Sequence, residues 1–453
     1  MKILTMIFPS VGLFLSLSSF SIQIVTNQLI ALNQINKDIR ASTILISAIR
    51  ITIITTSIAS IILLLILPIY KNIFDSVFIY WPLLLSIPIL YFSNLSGVFK
   101  GYLEGTSQFI HPYISNVIES LVKLLVVTIL LLIFNSFSPN HKVLIIFIAY
   151  VIAEFSSFLY LLILMKRKKG SIKPKFKKGL ELKMLKQALP LTLTIALGSF
   201  FSYFFPFFIL FLASKLNIEP EDIITEYTII TSYAMPALVI FESVSTTLTK
   251  LVFPKLTQLR ENKKELKKLL TRVIYCITIA SILSFFISFY HTDLLLNILY
   301  GSNISNSITK KLSPIYIFLY FNPLLISILQ ANNKEKSIFI IQIITDTLML
   351  LLTFIFTLFF KTDGLLYGIA IYLIIKFIIL LIVAIKNSNI AFDIIETLSI
   401  IILSIIFILS INLFSLEYHF QIVLLYLVIS LLLFPNDNNK VFLYLYKKRK
   451  APY

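Results

Sequence analysis

Residues 143–165 read VLIIFIAYVIAEFSSFLYLLILM, and residues 166–186 continue KRKKGSIKPKFKKGLELKMLK. The first stretch is 23 residues long with a single charge, Glu154. A helix needs about 20 mostly apolar residues to cross the hydrocarbon core of a bilayer, so this segment is a membrane span. Barrel strands are about 10 residues long with alternating polarity, and a continuous run of this kind excludes them. The second stretch holds ten Lys/Arg against one acid, Glu181. A basic connection of that density marks the cytoplasmic side of a membrane protein.

The same pattern extends in both directions. Thirteen apolar segments are predicted, roughly 4–32, 43–69, 77–99, 113–134, 143–165, 188–212, 223–247, 273–290, 312–330, 337–360, 364–385, 394–415 and 420–435. Of the 453 residues 58% are apolar and only 13% charged, with a mean hydropathy of +0.94. Soluble domains carry roughly 25% charged residues, so a water-exposed globule is excluded. Met1–Ser21, with Lys2 and an apolar core, has the outline of a signal peptide. The apolar run continues to Leu32, however, and reads as a span.

Alternating outward from 166–186 places 29 of the 39 Lys/Arg in cytoplasmic connections and seven outside. The net charge of +18 therefore reads as topology, and no nucleic-acid partner is needed to explain it. The scheme puts the basic C-terminal tail in the cytoplasm. A second basic run, Lys250–Arg272, has eight Lys/Arg against Glu261 and Glu265 and can be drawn as one helix on the inner leaflet or as a solvated loop.

Short identities recur along the chain. Ile58-Ala59-Ser60-Ile61 returns as Ile279-Ala280-Ser281-Ile282, Asn36-Lys37 as Asn262-Lys263, and Glu119-Ser120-Leu121 as Asp346-Thr347-Leu348, at offsets of 221, 226 and 227. Each lies six spans on, so the halves share an orientation and form a parallel repeat. The partner of span 188–212 would fall before Met1, and with thirteen spans Met1 itself lies outside. The expected fold is all-α: two pseudo-symmetric lobes, the first short of one helix, followed by two extra helices. Its divisions are an N-terminal lobe 1–165, a linker 166–187, a C-terminal lobe 188–386 and two further spans with a tail, 387–453.

Three stretches carry a resemblance. Leu95-Ser96-Gly97-Val98-Phe99-Lys100-Gly101-Tyr102, followed by residues 112–123 (PYISNVIESLVK), is similar to a span-loop-span pattern of the sporulation-type polysaccharide exporters. Residues 233–238 (YAMPAL) through 251–256 (LVFPKL) resemble the same family's eighth span and its exit, and 295–301 (LLNILYG) the segment before its tenth. The resemblance is to the multidrug/oligosaccharidyl-lipid/polysaccharide (MOP) flippase superfamily. It implies two six-helix lobes around a central cavity, and a transporter that moves a lipid-linked oligosaccharide or polysaccharide precursor across the cytoplasmic membrane. The implied partners are a polyprenyl-pyrophosphate sugar, membrane lipids, and a coupling proton or sodium ion.

Charges inside spans are costly and face a cavity or a partner. The candidates for substrate binding are Lys100, Lys123, Glu119, Lys376, Arg50 and Asn27; those for ion coupling are Glu154, Glu242 and Asp346. Glu119 and Lys123 stand four apart in the favourable acid-first order, either neutralising each other or meeting a pyrophosphate. Arg50 can equally snorkel to ordinary lipid phosphate, Asn27 can serve as packing glue, and the three acids can be interhelical hydrogen-bond partners. A cation-coupled multidrug exporter, a membrane-embedded polymerase or ligase, and a non-transporting scaffold are the alternatives. The outer connection Tyr290–Lys311 offers His291 and Asp293 but no D-x-D, and no G-x-x-x-x-G-K-[ST] occurs, so an enzyme is not expected. Cys276 is the single cysteine and the four histidines are scattered, so neither metal nor cofactor is expected.

Overall fold

The computed structural model describes residues 2–36, 41–74, 77–134, 136, 138–167, 179–216, 218–259, 262–301, 305–388, 394–414 and 418–434. Lys37, Arg40, residues 168–178 of the 166–187 linker and the basic tail lie outside them. The described residues form α1 (Lys2–Ser19), α2 (Ile22–Asn36), α3 (Ala41–Phe74), α4 (Val77–Gly105), α5 (Ile110–Ile133), α6 (Pro139–Arg167) and α7 (Leu180–Leu216). There follow α8 (Pro220–Ile229), a π-helical turn (Ile230–Ala234), α9 (Met235–Val239), α10 (Glu242–Gln258), α11 (Lys263–Tyr290) and α12 (Thr292–Tyr300). The chain closes with α13 (Asn306–Leu319), α14 (Asn322–Ala331), α15 (Glu335–Phe360), α16 (Asp363–Ser388), α17 (Ile394–Leu413) and α18 (His419–Leu432).

Ten helices are long and apolar enough to cross a membrane, and eleven if the bent pair Glu221–Val239 and Glu242–Gln258 is one span. Two shorter apolar helices, Leu398–Leu413 and His419–Leu431, occupy the last two expected positions. Length and composition thus give a polytopic all-α membrane protein without reaching the expected thirteen full-length spans among the described residues.

Two compact units form. The first contains Met1–Ile224, Lys250–Gln258 and Ile326–Gly364; the second contains Thr225–Thr249, Leu259–Leu325 and Leu365–Tyr453. Packing explains the extent of the first: α7 lies against α1, α2, α3 and α15, so it groups with them. The Lys250–Arg272 run does not form a single helix. It breaks after Gln258, and Asn262 starts α11 afresh by accepting a hydrogen bond from the Glu265 amide at 3.3 Å.

In the first unit a core of Val11, Leu67, Leu83, Ile89, Val143 and Phe147 is closed, while Ile54, Ile58, Ile61 and Leu65 of α3 stay exposed. Apolar side chains turned outward in this way suit lipid as the solvent. Two glycines set how closely α4 meets α2. A Cβ at Gly101 would overlap the backbone carbonyl of Gln23, and one at Gly105 would lie 2.9 Å from the Asn27 carbonyl oxygen. With Gly97 they form a small-residue stripe at four-residue spacing, the arrangement that lets helices approach closely in a membrane.

Three spans are interrupted among the described residues, one of them, Asn306–Ala331, where α13 gives way to α14. The first breaks between α1 and α2, where Phe20 and Ser21 have φ of 46° and 48°, the left-handed region that side chains other than Gly rarely enter. Thr55 donates to the Ser18 carbonyl at 2.7 Å, and Asn94 donates to the Ser18 and Thr56 hydroxyls at 2.8 and 2.9 Å. In the second unit Pro236 supplies no amide and crowds the preceding turn; the π-helical turn ends directly ahead of it, and the helix bends by 55° before Glu242. Freed carbonyls must be satisfied inside a membrane. Tyr300 donates to the Tyr233 carbonyl at 3.1 Å, and Tyr320 to the Leu238 carbonyl at 2.9 Å.

Candidate functional site

The helix contacts that carry chemistry lie in the first unit, where α4 packs against α2, α5 and α6. Close α2–α4 packing across Gly101 and Gly105 brings Lys100 and Glu104, one turn apart, beside Asn27. Asn27 donates to Glu104 at 3.2 Å, and Gln23 makes a further hydrogen bond to the same carboxylate. From α5, Glu119 reaches two ammonium groups: Lys100 at 3.7 Å and Lys123 at 3.5 Å. The Lys123 ammonium also sits over the Tyr150 ring of α6, 4.1 Å from its centroid. Glu154, one turn further along α6, hydrogen-bonds Ser93 and lies in the field of Glu119, Lys100 and Lys123. Lys250 of α10 acts on Glu104. Three lysines and three glutamates thus interleave at membrane depth. Every ammonium has a carboxylate near it, which is how such charges are tolerated there.

The structure therefore brings together Lys100, Glu119, Lys123 and Glu154, with Asn27 attached through Glu104. It does not bring Arg50 to them: Arg50 faces Glu181 at 3.7 Å with its side chain 56% exposed, a surface position. Asp346 is buried on α15, where Gln342 donates to both carboxylate oxygens at 2.9 and 2.8 Å. In the second unit Lys376 donates to Tyr372 one turn away at 3.3 Å. Glu242 opens α10 immediately after the bend, in the field of Tyr316 and Tyr320. A carboxylate at a helix start is favoured by the helix dipole.

Glu104, Gln23 and Tyr150 were not singled out from the sequence. Glu104 lies just beyond its predicted span, 77–99, where an acid is unremarked. A signal did exist: Lys100 and Glu104 are four apart, as Glu119 and Lys123 are. What the spacing lacked was the α2 partner that buries the pair. Among the described residues no cluster of His, Cys, Asp and Glu could hold a metal ion.

Interrupted helices and paired charges are thus set within one all-α bundle, and known proteins share that fold. No protein-family model matches the chain. Over 262 residues, 56% of this chain, it is 23% identical to stage V sporulation protein B of Bacillus subtilis (strain 168); the match spans 51% of that protein, about half its length. Among solved structures, an outward-facing MATE-family multidrug-resistance transporter of the MOP superfamily superposes with a TM-score of 0.70 at 14% identity, covering 86% of this chain and 88% of that one. A MOP-superfamily transporter from Pyrococcus furiosus, described as having a binding pocket of reversed polarity, gives 0.69 at 13% identity over 85% and 87% of the two chains. The chain has the fold of the MOP-superfamily transporters, and the resemblance drawn from its motifs is confirmed.

Proposed function

We propose that the protein is a flippase of the cytoplasmic membrane that translocates a lipid-linked oligosaccharide or polysaccharide precursor. The observation that carries this reading is the interleaved charge network of Lys100, Glu119, Lys123 and Glu154. Its lysines are already held by carboxylates, so an incoming pyrophosphate competes for them with charge-assisted hydrogen bonds. As Lys100 and Lys123 turn to the phosphate, Glu119 and Glu154 lose their counter-charges and take up a proton or a sodium ion. Headgroup binding and cation uptake are then two sides of one exchange. The polyprenyl tail stays in lipid, beside the apolar outer faces of the helices. Similarity to stage V sporulation protein B supports a lipid-linked saccharide over a drug. Glu242 and Asp346 are further cation candidates, and Lys376 a further anion contact.

The experiment is reconstitution in proteoliposomes with a fluorescent polyprenyl-pyrophosphate sugar, scoring the fraction that becomes accessible to an impermeant quencher. Translocation is expected for the wild type and loss for Lys123→Gln, with the protein still inserted. Export of cationic dyes with no movement of the lipid would assign the multidrug reading instead.

A further inference from the structure

Two basic connections that look independent in the sequence end at the same place. α7 begins at Leu180 and α15 at Glu335, both in the first unit, and the two helices pack along one another. Their starts wall one recess of about 640 Å³, whose polar lining includes Lys183, Lys186, Gln187, Lys334, Glu335 and Lys336. The chain turns into each helix through left-handed backbone, Gly179 at φ 85° and Asn333 at φ 56°. Asn333 is held there by Gln28, whose amide donates to the Asn333 side chain at 2.8 Å and to the Gln330 carbonyl at 2.9 Å. α15 starts without a side-chain cap on its first turn.

The recess makes two chemical demands. Four lysines against one carboxylate, together with two helix starts, call for an anion. The Glu335 carboxylate is hydrogen-bonded by Gln28, yet its Oε1, in a residue only 6% exposed, lacks a partner, as does Oε1 of Gln187 in the same lining. Among the described residues no lysine of the recess lies within ion-pair distance of Glu335. Buried acceptors left unpaired are costly, and they call for donors. A bare inorganic anion such as sulfate meets the first demand but carries no donor for the second. A metal cation meets the second and is repelled by the lysines. A phosphate ester that also bears hydroxyl groups meets both, its phosphate on the lysines and its hydroxyls donating to Glu335 and Gln187.

We propose that this recess binds hydroxyl-bearing phosphate esters, the chemistry shared by phosphosugar or phosphoglycerol lipid headgroups and by soluble sugar phosphates. The site is distinct in residues from the network of Lys100, Glu119, Lys123 and Glu154, and it does not rest on the transport reading. The test uses the full chain in phosphatidylcholine nanodiscs, with acetylation of individual lysines followed by mass spectrometry. One arm adds glucose 1-phosphate; the other replaces part of the lipid with phosphatidylglycerol. At ligand about ten times its Kd, labelling of Lys183, Lys186, Lys334 and Lys336 is expected to fall about tenfold, with Lys310 and Lys311 unchanged. Protection in the first arm alone assigns a soluble ester, and in the second alone a lipid headgroup. Methyl phosphate, which lacks hydroxyls, should protect less, and Glu335→Gln should shrink that difference. Lys123→Gln should leave protection intact even where it abolishes transport. Absence of protection in both arms, or equal protection by methyl phosphate, overturns the proposal.

Discussion

Glu119 holds two lysines, and this makes the charge network asymmetric in a measurable way. At 3.5 and 3.7 Å each contact has a gross attraction of about 4–5 kcal/mol at an effective dielectric of about 20. Water reduces this, because the side chains of Lys100, Glu119 and Lys123 remain 13%, 20% and 28% exposed. Removing one partner of a fully buried pair costs about 3–5 kcal/mol, which here is an upper bound. Glu119→Gln deletes both attractions and leaves two ammonium groups facing each other across a neutral amide, so a loss of roughly 2–4 kcal/mol is expected. Lys123→Gln leaves Glu119 paired with Lys100 and should cost roughly 1 kcal/mol. The double variant Glu119→Gln/Lys123→Gln removes the repulsion along with the pair and should be more stable than Glu119→Gln alone. Thermal unfolding of the detergent-solubilised protein, followed by fluorescence-detected size exclusion, ranks the three. If Lys123→Gln proves as damaging as Glu119→Gln, or if the double variant loses the sum of the two, Glu119 is not the shared hub and the geometry is wrong.

Other consequences are as direct. Gly101→Val gains only about 0.4 kcal/mol of helix propensity but forces α4 off the Gln23 carbonyl. Overpacking of about 1–3 kcal/mol or more should win, lowering the unfolding midpoint and, through displaced Lys100, transport. Tyr320→Phe strips the donor from the Leu238 carbonyl and the partner from Ser284, leaving buried groups unpaired at about 1–3 kcal/mol each; a midpoint unchanged from wild type would contradict this. His291, after α11, is held below its usual 6.5 by burial first and by His419 second. A base with a lowered folded-state pKa binds its proton more readily when unfolded, so stability is full above about pH 6.5 and falls as the pH drops below it. The unfolding midpoint should decline from pH 7 to 5, and His291→Gln should flatten that slope. On topology, cysteines at positions 183 and 332 in a Cys276→Ser background should both resist an impermeant thiol reagent in intact cells. Labelling of one and not the other would contradict the shared recess.

The network was legible in part because helix spacing is local. Glu119 and Lys123, four apart, had to be neighbours wherever α5 lies, and a lone Glu154 in an apolar run had to seek a partner. Polarity marked Asn27 as well, although not what it would hold. Arg50 was marked for the same local reason, although its position in a span gave no hint that the start of α7 would offer Glu181. Linear order also suggested a break between lobes at 165–188, and only packing shows which helices α7 lies against.

Sequence by itself determined the solvent, the secondary structure and the superfamily resemblance, because a bilayer demands length, apolarity and internally satisfied backbone from each span separately. Tertiary structure decided everything that depends on two helices meeting. Gly101 and Gly105 let α2 close on α4, so Glu104 enters the network beside Asn27. Tyr300 and Tyr320, 67 and 82 residues away from the carbonyls they satisfy, allow the bent span to exist. Lys183 and Lys334 share one recess although some 150 residues part them in the chain. No spacing rule reaches that far, since such contacts follow from close packing of whole helices and not from the periodicity of any one.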